Sequence, residues 1–123
     1  MDDLWRWLGG QLEEDERIAK AAIRELAGPD AARWRYDGRH VETVSGPTEV
    51  AAGARTVLGP GVGEYIAHND PARLLEELTA KHKLLGWVHR VVRPESPASA
   101  DRGVRLLALS YADRPGYREE WRP

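Results

Sequence analysis

Apolar residues recur every three or four positions through the first fifth of the chain and again in its third quarter, and that rhythm predicts two long helices. Advancing about 100° per residue puts Leu4, Leu8, Leu12, Ala19, Ala22, Ile23 and Leu26 on one stripe of a helix over residues 3–27. Gly9 and Gly10 interrupt it and together weaken it by about 2 kcal/mol against alanines, which predicts a kink or a fraying first turn. Asp15 falls inside the apolar stripe, and the "GPD" at 28–30 supplies the stop.

The rhythm then changes. In "ARWRYDGRHVETV" Trp34 and Tyr36 alternate with Arg33 and Arg35, and Val41 and Val44 follow the Asp37-Gly38 pair, so residues 33–44 read as a β-hairpin. Residues 45–63 form a Gly/Pro-rich connection with room for one further short strand near Thr56–Leu58. A short turn of helix is expected around Glu64–His68.

The second long helix is expected over residues 70–92. Asp70 stands as N-cap and Pro71 at the first helical position, with Glu76 and Glu77 early and Lys81 and Lys83 later, the order that suits the macrodipole. Leu74, Leu75, Leu78, Leu85, Val88 and Val92 make one apolar face, and Ala80, Leu84, Trp87 and Val91 make a second. A helix apolar on two sides needs two covers. Residues 93–103, "RPESPASADRG", read as a mobile Pro/Ser/Ala linker. Helical spacing returns through Val104, Leu107 and Tyr111 in a C-terminal helical segment over 104–121. The expected fold is a single α+β domain over 1–123: two long amphipathic helices and the C-terminal segment packed on a small antiparallel sheet.

Composition narrows the function classes. The net charge of −2 gives no global field for a phosphate backbone, a membrane or an acidic substrate. The chain has no cysteine, which removes disulfides, thiolate metal sites and cysteine nucleophiles. An acidic start and the lack of a long apolar run predict a cytoplasmic protein with no membrane association. Charge is nonetheless segregated: residues 1–30 hold eight acids and four bases, whereas 71–93 hold five bases and two acids. The two helices are therefore electrostatically complementary, within one chain or across a homodimer.

No motif for catalysis emerges. Asp15 beside Glu16 is the place an acid–base reading would start, but a charge at a core edge more often forms an ion pair. His40, His68, His82 and His89 have no zinc spacing; His82 and His89 lie seven apart on the apolar stripe and read as core-edge residues. Gly59, Gly61 and Gly63 fit neither the dinucleotide fingerprint nor a P-loop. No cofactor or metal is expected. Arg33, Arg35 and Arg39, interleaved with Trp34 and Tyr36, are the candidate nucleic-acid contacts, although strand alternation sends the rings to one face and the arginines to the other.

The blocks "LWRWLGGQLEEDERIA", "HNDPARLLEELTAKHKLL" and "VRLLALSYADRPGYREEWRP" resemble a family of small uncharacterised proteins found in actinobacteria and their phages, over about half the chain. Members often carry a cysteine-bearing stretch ahead of the closing block; here "VVRPESPASADRG" has no cysteine, and "AGPDAARW" only approximates the family's "PGPW" approach to the first strand. The resemblance implies no activity, cofactor or site. The closing block poses one structural alternative. Tyr111, Tyr117 and Trp121 with Arg118 either hold down one side of the second long helix as a lid, the favoured arrangement, or present an exposed anchor to a partner. The function expected is that of a noncatalytic accessory or regulatory protein, tied to a phage or mobile element, that binds another protein. The alternative is a small nucleic-acid-binding module.

Overall fold

The computed structural model describes residues 2–26, 30–45, 48–53 and 57–123. In chain order they form α1 (Asp2–Leu26), β1 (Trp34–Tyr36), β2 (His40–Thr43), β3 (Glu49–Ala52), α2 (Pro60–His68), α3 (Pro71–Trp87), a π-helical turn (Val88–Val92), α4 (Arg93–Glu95), α5 (Pro97–Leu109) and a 3-10 turn (Glu119–Trp121). The fold is α+β. Its residues divide into two compact units, one of residues up to Asp15 with Leu78–Pro123, the other of Glu16–Glu77.

The first unit is helical. Leu4, Leu8 and Leu12 of α1, Leu78 and Leu85 of α3, Val88 of the π turn and Ala100, Val104 and Ala108 of α5 make its core. The spacings are three, four or seven residues, so each helix turns one stripe inward. Arg93 of α4 reaches Asp2 of α1 at 3.2 Å, an ion pair within the chain between the acidic and the basic stretch. α1 runs unbroken through Gly9 and Gly10 and is helical from Asp2, without a frayed first turn. A Cβ on Gly10 would meet nothing within 4 Å. Gly10→Ala is therefore expected to raise stability by about 1 kcal/mol in urea unfolding; a loss would mean that the backbone there needs glycine.

The stretch expected to be a mobile linker, 93–103, is instead helical in all but Ser96. Its prolines carry local meaning. Pro94 has no N–H to continue an α-helix and its ring crowds the preceding turn, so the chain widens: Arg93 N–H donates to the Val88 carbonyl, a π-type bond. Ser96 then caps α5, its Oγ accepting from Ser99 N–H at 3.3 Å, with Pro97 at the first helical position. The closing helical segment also differs from expectation. α5 stops at Leu109, and the chain continues in turns to the single 3-10 turn at Glu119–Trp121.

The second unit holds the sheet, ordered β1-β2-β3 and antiparallel throughout. The hairpin over 33–44 forms with Trp34 opposite Thr43 and Tyr36 opposite Val41. Its turn is closed by Asp37, whose N–H donates to the His40 carbonyl, while Gly38 takes φ +97°. The expected strand near Thr56–Leu58 lies partly outside the described residues, and Val57 and Leu58 are not in a strand. The third strand is β3, paired to β2 through a bulge at Val41/Glu42. Tyr36 donates its hydroxyl to the Leu58 carbonyl, and its ring lies on Gly63 of α2. Asp70 ties β1 to the start of α3: Oδ2 accepts from Trp34 N–H at 3.1 Å and Oδ1 from Arg73 N–H at 2.9 Å, the N-cap bond expected of it.

Candidate functional site

The closing block is built into the first unit. Trp121 and Tyr111 are 5% and 4% exposed. Trp7, Tyr117 and Trp121 form a triangle of rings with centroids 5.5–5.8 Å apart. Trp7 Nε1 donates to the Pro115 carbonyl at 3.0 Å, and Gly116, at φ +88°, lets the chain pass so close that a Cβ there would lie 2.8 Å from that nitrogen. Arg118 pairs with Asp3 at 3.3 Å and stands over the Trp121 ring. Lys81 donates to the Tyr111 hydroxyl at 2.9 Å. The ring triangle is thus assembled on Trp7 of α1, and the second apolar face of α3 is left without a cover from it.

That face is apolar and open. Leu84 and Trp87 of α3, Val91 of the π turn and Leu106 of α5 are 48%, 50%, 50% and 51% exposed. Between the two helices runs a cleft of about 330 Å³ floored by Leu85, Val88 and Val104 and walled by Trp87, Gly103 and Leu107. Lys83 stands four residues before Trp87 and Arg102 four before Leu106, so helical spacing puts a cation near each, whereas the Arg90 guanidinium lies against Gly86. None of the three has an acidic partner among the described residues. From Leu78 to Arg93 the chain has no Asp or Glu at all. Asp101 of α5 is taken by Arg105 at 2.7 Å.

The other residues singled out in the sequence are placed as follows. Asp15 is bound by Arg114 at 2.7 Å, the ion pair expected for a carboxylate at a core edge. His82 and His89 are exposed rather than set into the core edge, because the stripe that buries Leu78, Leu85 and Val88 leaves them at its margin; His89 meets the Trp5 ring edge-on at 5.6 Å. Of the hairpin arginines, Arg35 is held by Glu42 at 2.8 Å, Arg33 lies 3.8 Å from Glu76 and Arg39 is exposed. Trp34 and Tyr36 turn to the opposite, half-buried face, where Trp34 Nε1 donates to the Ala31 carbonyl at 3.0 Å.

One group missed in the sequence has metal-ligand chemistry: Asp37, His40 and Glu42 bring one ligand atom each within 4.8 Å of the others. The hairpin turn is the signal that would have found it. The set is closed on itself, with His40 Nε2 3.2 Å from Glu42 Oε2 and 3.4 Å from Asp37 Oδ2. The N–H groups of His40 and Arg39 hold the Asp37 carboxyl below the usual carboxylate range, and Arg35 neutralises Glu42. These contacts account for the cluster as a hairpin lock.

The molecule is thus a small α+β protein with an apolar groove between α3 and α5 in its helical unit. The chain belongs to DUF6221, a family of unknown function whose model matches residues 1–123. No solved structure matches it. No described helix is long and apolar enough to cross a membrane.

Proposed function

We propose that this protein is a noncatalytic accessory or regulatory protein of the cytoplasm, from actinobacteria or their phages and mobile elements, and that it acts by binding another protein through the Leu84–Trp87–Val91–Leu106 face. One observation carries the reading: Leu84 and Trp87 stand half exposed on the lining of an apolar cleft, and Val91 and Leu106 are half exposed on the π turn and the α5 helix that border it. A contiguous apolar surface is an aggregation liability unless something covers it, and tryptophan at the centre of such a patch is the residue type that dominates interface energetics. The burial of Tyr111 and Trp121 moves the expected contact surface away from the closing block. Within this reading the "YADRPGYREEW" block is a family signature that serves structure: it supplies the rings that close on Trp7.

The Asp15–Arg114 ion pair supports a structural rather than a catalytic role for that carboxylate. Nucleic-acid contact through the hairpin has less support, since Arg35 is committed to Glu42 and the neighbouring rings turn inward.

A tagged pull-down from actinobacterial lysate, run with and without nuclease and repeated with Trp87→Ala, tests the reading. The variant is expected to lose about 1–2 kcal/mol, because half of the ring is buried, and to remain folded by circular dichroism. A protein partner should survive nuclease and be lost with Trp87→Ala. Partners that vanish with nuclease, or that ignore the substitution, overturn it.

A further inference from the structure

We infer that Asp37, His40 and Glu42 form a binding site for a divalent transition-metal ion, zinc above all, on the β1–β2 hairpin. The inference is independent of the apolar groove and of what binds there.

The strand geometry collects the ligands. His40 and Glu42 are two apart on β2, so they share one face while Val41 and Thr43, both fully buried, anchor the other. Asp37 comes to the same place from the turn, where its N–H donates to the His40 carbonyl. One imidazole nitrogen and two carboxylate oxygens are thus brought within 4.8 Å of one another. His40 Nε2 lies 3.2 Å from Glu42 Oε2 and 3.4 Å from Asp37 Oδ2. Zinc held at about 2.0–2.2 Å by nitrogen and carboxylate oxygen in a tetrahedron sets its ligand atoms about 3.3–3.6 Å apart, so both separations are already close to what it needs.

The other oxygen of each carboxylate is committed. Asp37 Oδ1 accepts from the N–H groups of Arg39 and His40 at 2.8 and 2.9 Å, and Glu42 Oε1 accepts from Arg35 Nε at 2.9 Å. Oδ2 and Oε2 are thereby turned to one nitrogen. Outer hydrogen bonds of this kind are what orient carboxylate ligands in metal sites. The hairpin lock by itself uses the arrangement incompletely: Nε2 carries at most one hydrogen, which points at one of the two oxygens at a time, whereas a cation between the three atoms engages all of them.

Charge and donor type select the ion. Asp37, Glu42 and Glu49 outweigh Arg35 and Arg39 by one negative charge. Glu49 stands opposite Glu42 on β3, a like-charge pair that Arg35 offsets in part and a cation relieves further. An imidazole among the donors favours zinc over magnesium and calcium, which take oxygen. His40 also lines a cleft of about 320 Å³ with Arg39, Ala52, Gly53 and Val57, which leaves room for water at the ion's fourth position.

Calorimetric titration of the full-length, EDTA-stripped protein with zinc chloride tests the assignment. One ion per chain is expected at the hairpin, with hydrogen-exchange protection rising across residues 33–44 as it binds. Glu42→Gln keeps an acceptor for Arg35 and should weaken zinc binding about tenfold or more, as should His40→Ala, since losing even an orienting partner of a ligand costs that much. Magnesium over the same concentrations is expected to give no such binding. Zinc bound equally by the wild type and both variants would place the ion on His68, His82 or His89 and overturn the site; so would no zinc binding at millimolar metal. Magnesium bound as tightly as zinc would overturn the choice of ion. Cobalt(II) in place of zinc gives a reading that needs no variant: hairpin protection should rise at the cobalt concentration where the visible absorption of the bound ion appears, and a separation of the two would overturn the site.

Discussion

Trp121→Ala is expected to lower the stability of the helical unit by about 3–5 kcal/mol, roughly a fifth or more of what a domain this size usually has. The ring is 5% exposed, meets Trp7 and Tyr117 at 5.6 and 5.8 Å, and lies beneath the Arg118 guanidinium at 5.1 Å. Removing it opens a cavity that two stiff aromatic neighbours cannot collapse to fill. It also strips an anchor from the closing segment. The ties left around it are few: the exposed Arg118–Asp3 ion pair, worth at most about 1 kcal/mol, and Arg105, which donates to the Glu120 carbonyl. Because Glu16–Glu77 forms a separate compact unit, hydrogen exchange read by mass spectrometry is the appropriate measurement, and protection should fall across Leu4–Leu12 and Ala100–Ala108. Trp121→Phe should recover much of the loss. An alanine variant that loses less than about 1 kcal/mol would mean the closing block does not hold this core together.

The same residues show where sequence reasoning succeeds. α1 was legible because Leu4, Leu8 and Leu12 repeat at one period, and all three are buried. The hairpin was legible because Asp37-Gly38 sits between alternating residues, and the start of α3 because Asp70-Pro71 is a cap followed by a ring that fits the first turn. What failed depends on long-range partners. Glu49–Ala52 has little strand propensity of its own and becomes β3 through backbone pairing with β2. Residues 93–103 read as a linker from their proline, serine and alanine content, yet Ser96-Pro97 opens a helix whose Ala100 is fully buried. Composition and capping gave opposite answers there, and the buried small residue let capping win.

The candidate site was half visible for the same reason. The second apolar face of α3 follows directly from the spacing of Ala80, Leu84, Trp87 and Val91. Its opposite wall was hidden because α5 was read as a linker. That the closing block leaves this face open was hidden too, because Trp7, which gathers Tyr117 and Trp121 and donates to Pro115, lies 108 residues before that carbonyl. No local period reports a contact of that range.

Gly63→Ala should destabilise the sheet unit by about 1–3 kcal/mol, even though two effects oppose each other. Alanine in the interior of α2 would gain up to about 1 kcal/mol in helix propensity. Its Cβ, however, would fall within van der Waals contact of Tyr36 Cδ2 and Cε2 and only 2.8 Å from Cγ. The ring has little room to retreat: its backbone is paired with Val41 and its hydroxyl is bonded to the Leu58 carbonyl. The clash therefore outweighs the propensity gain. A double-mutant cycle tests the cause directly, because in a Tyr36→Ala background the clash is gone and only the propensity term remains. There Gly63→Ala should be neutral or stabilising by thermal or urea unfolding. The same stabilisation in both backgrounds would mean that Tyr36 does not rest on Gly63, and that α2 is held to the sheet by other contacts.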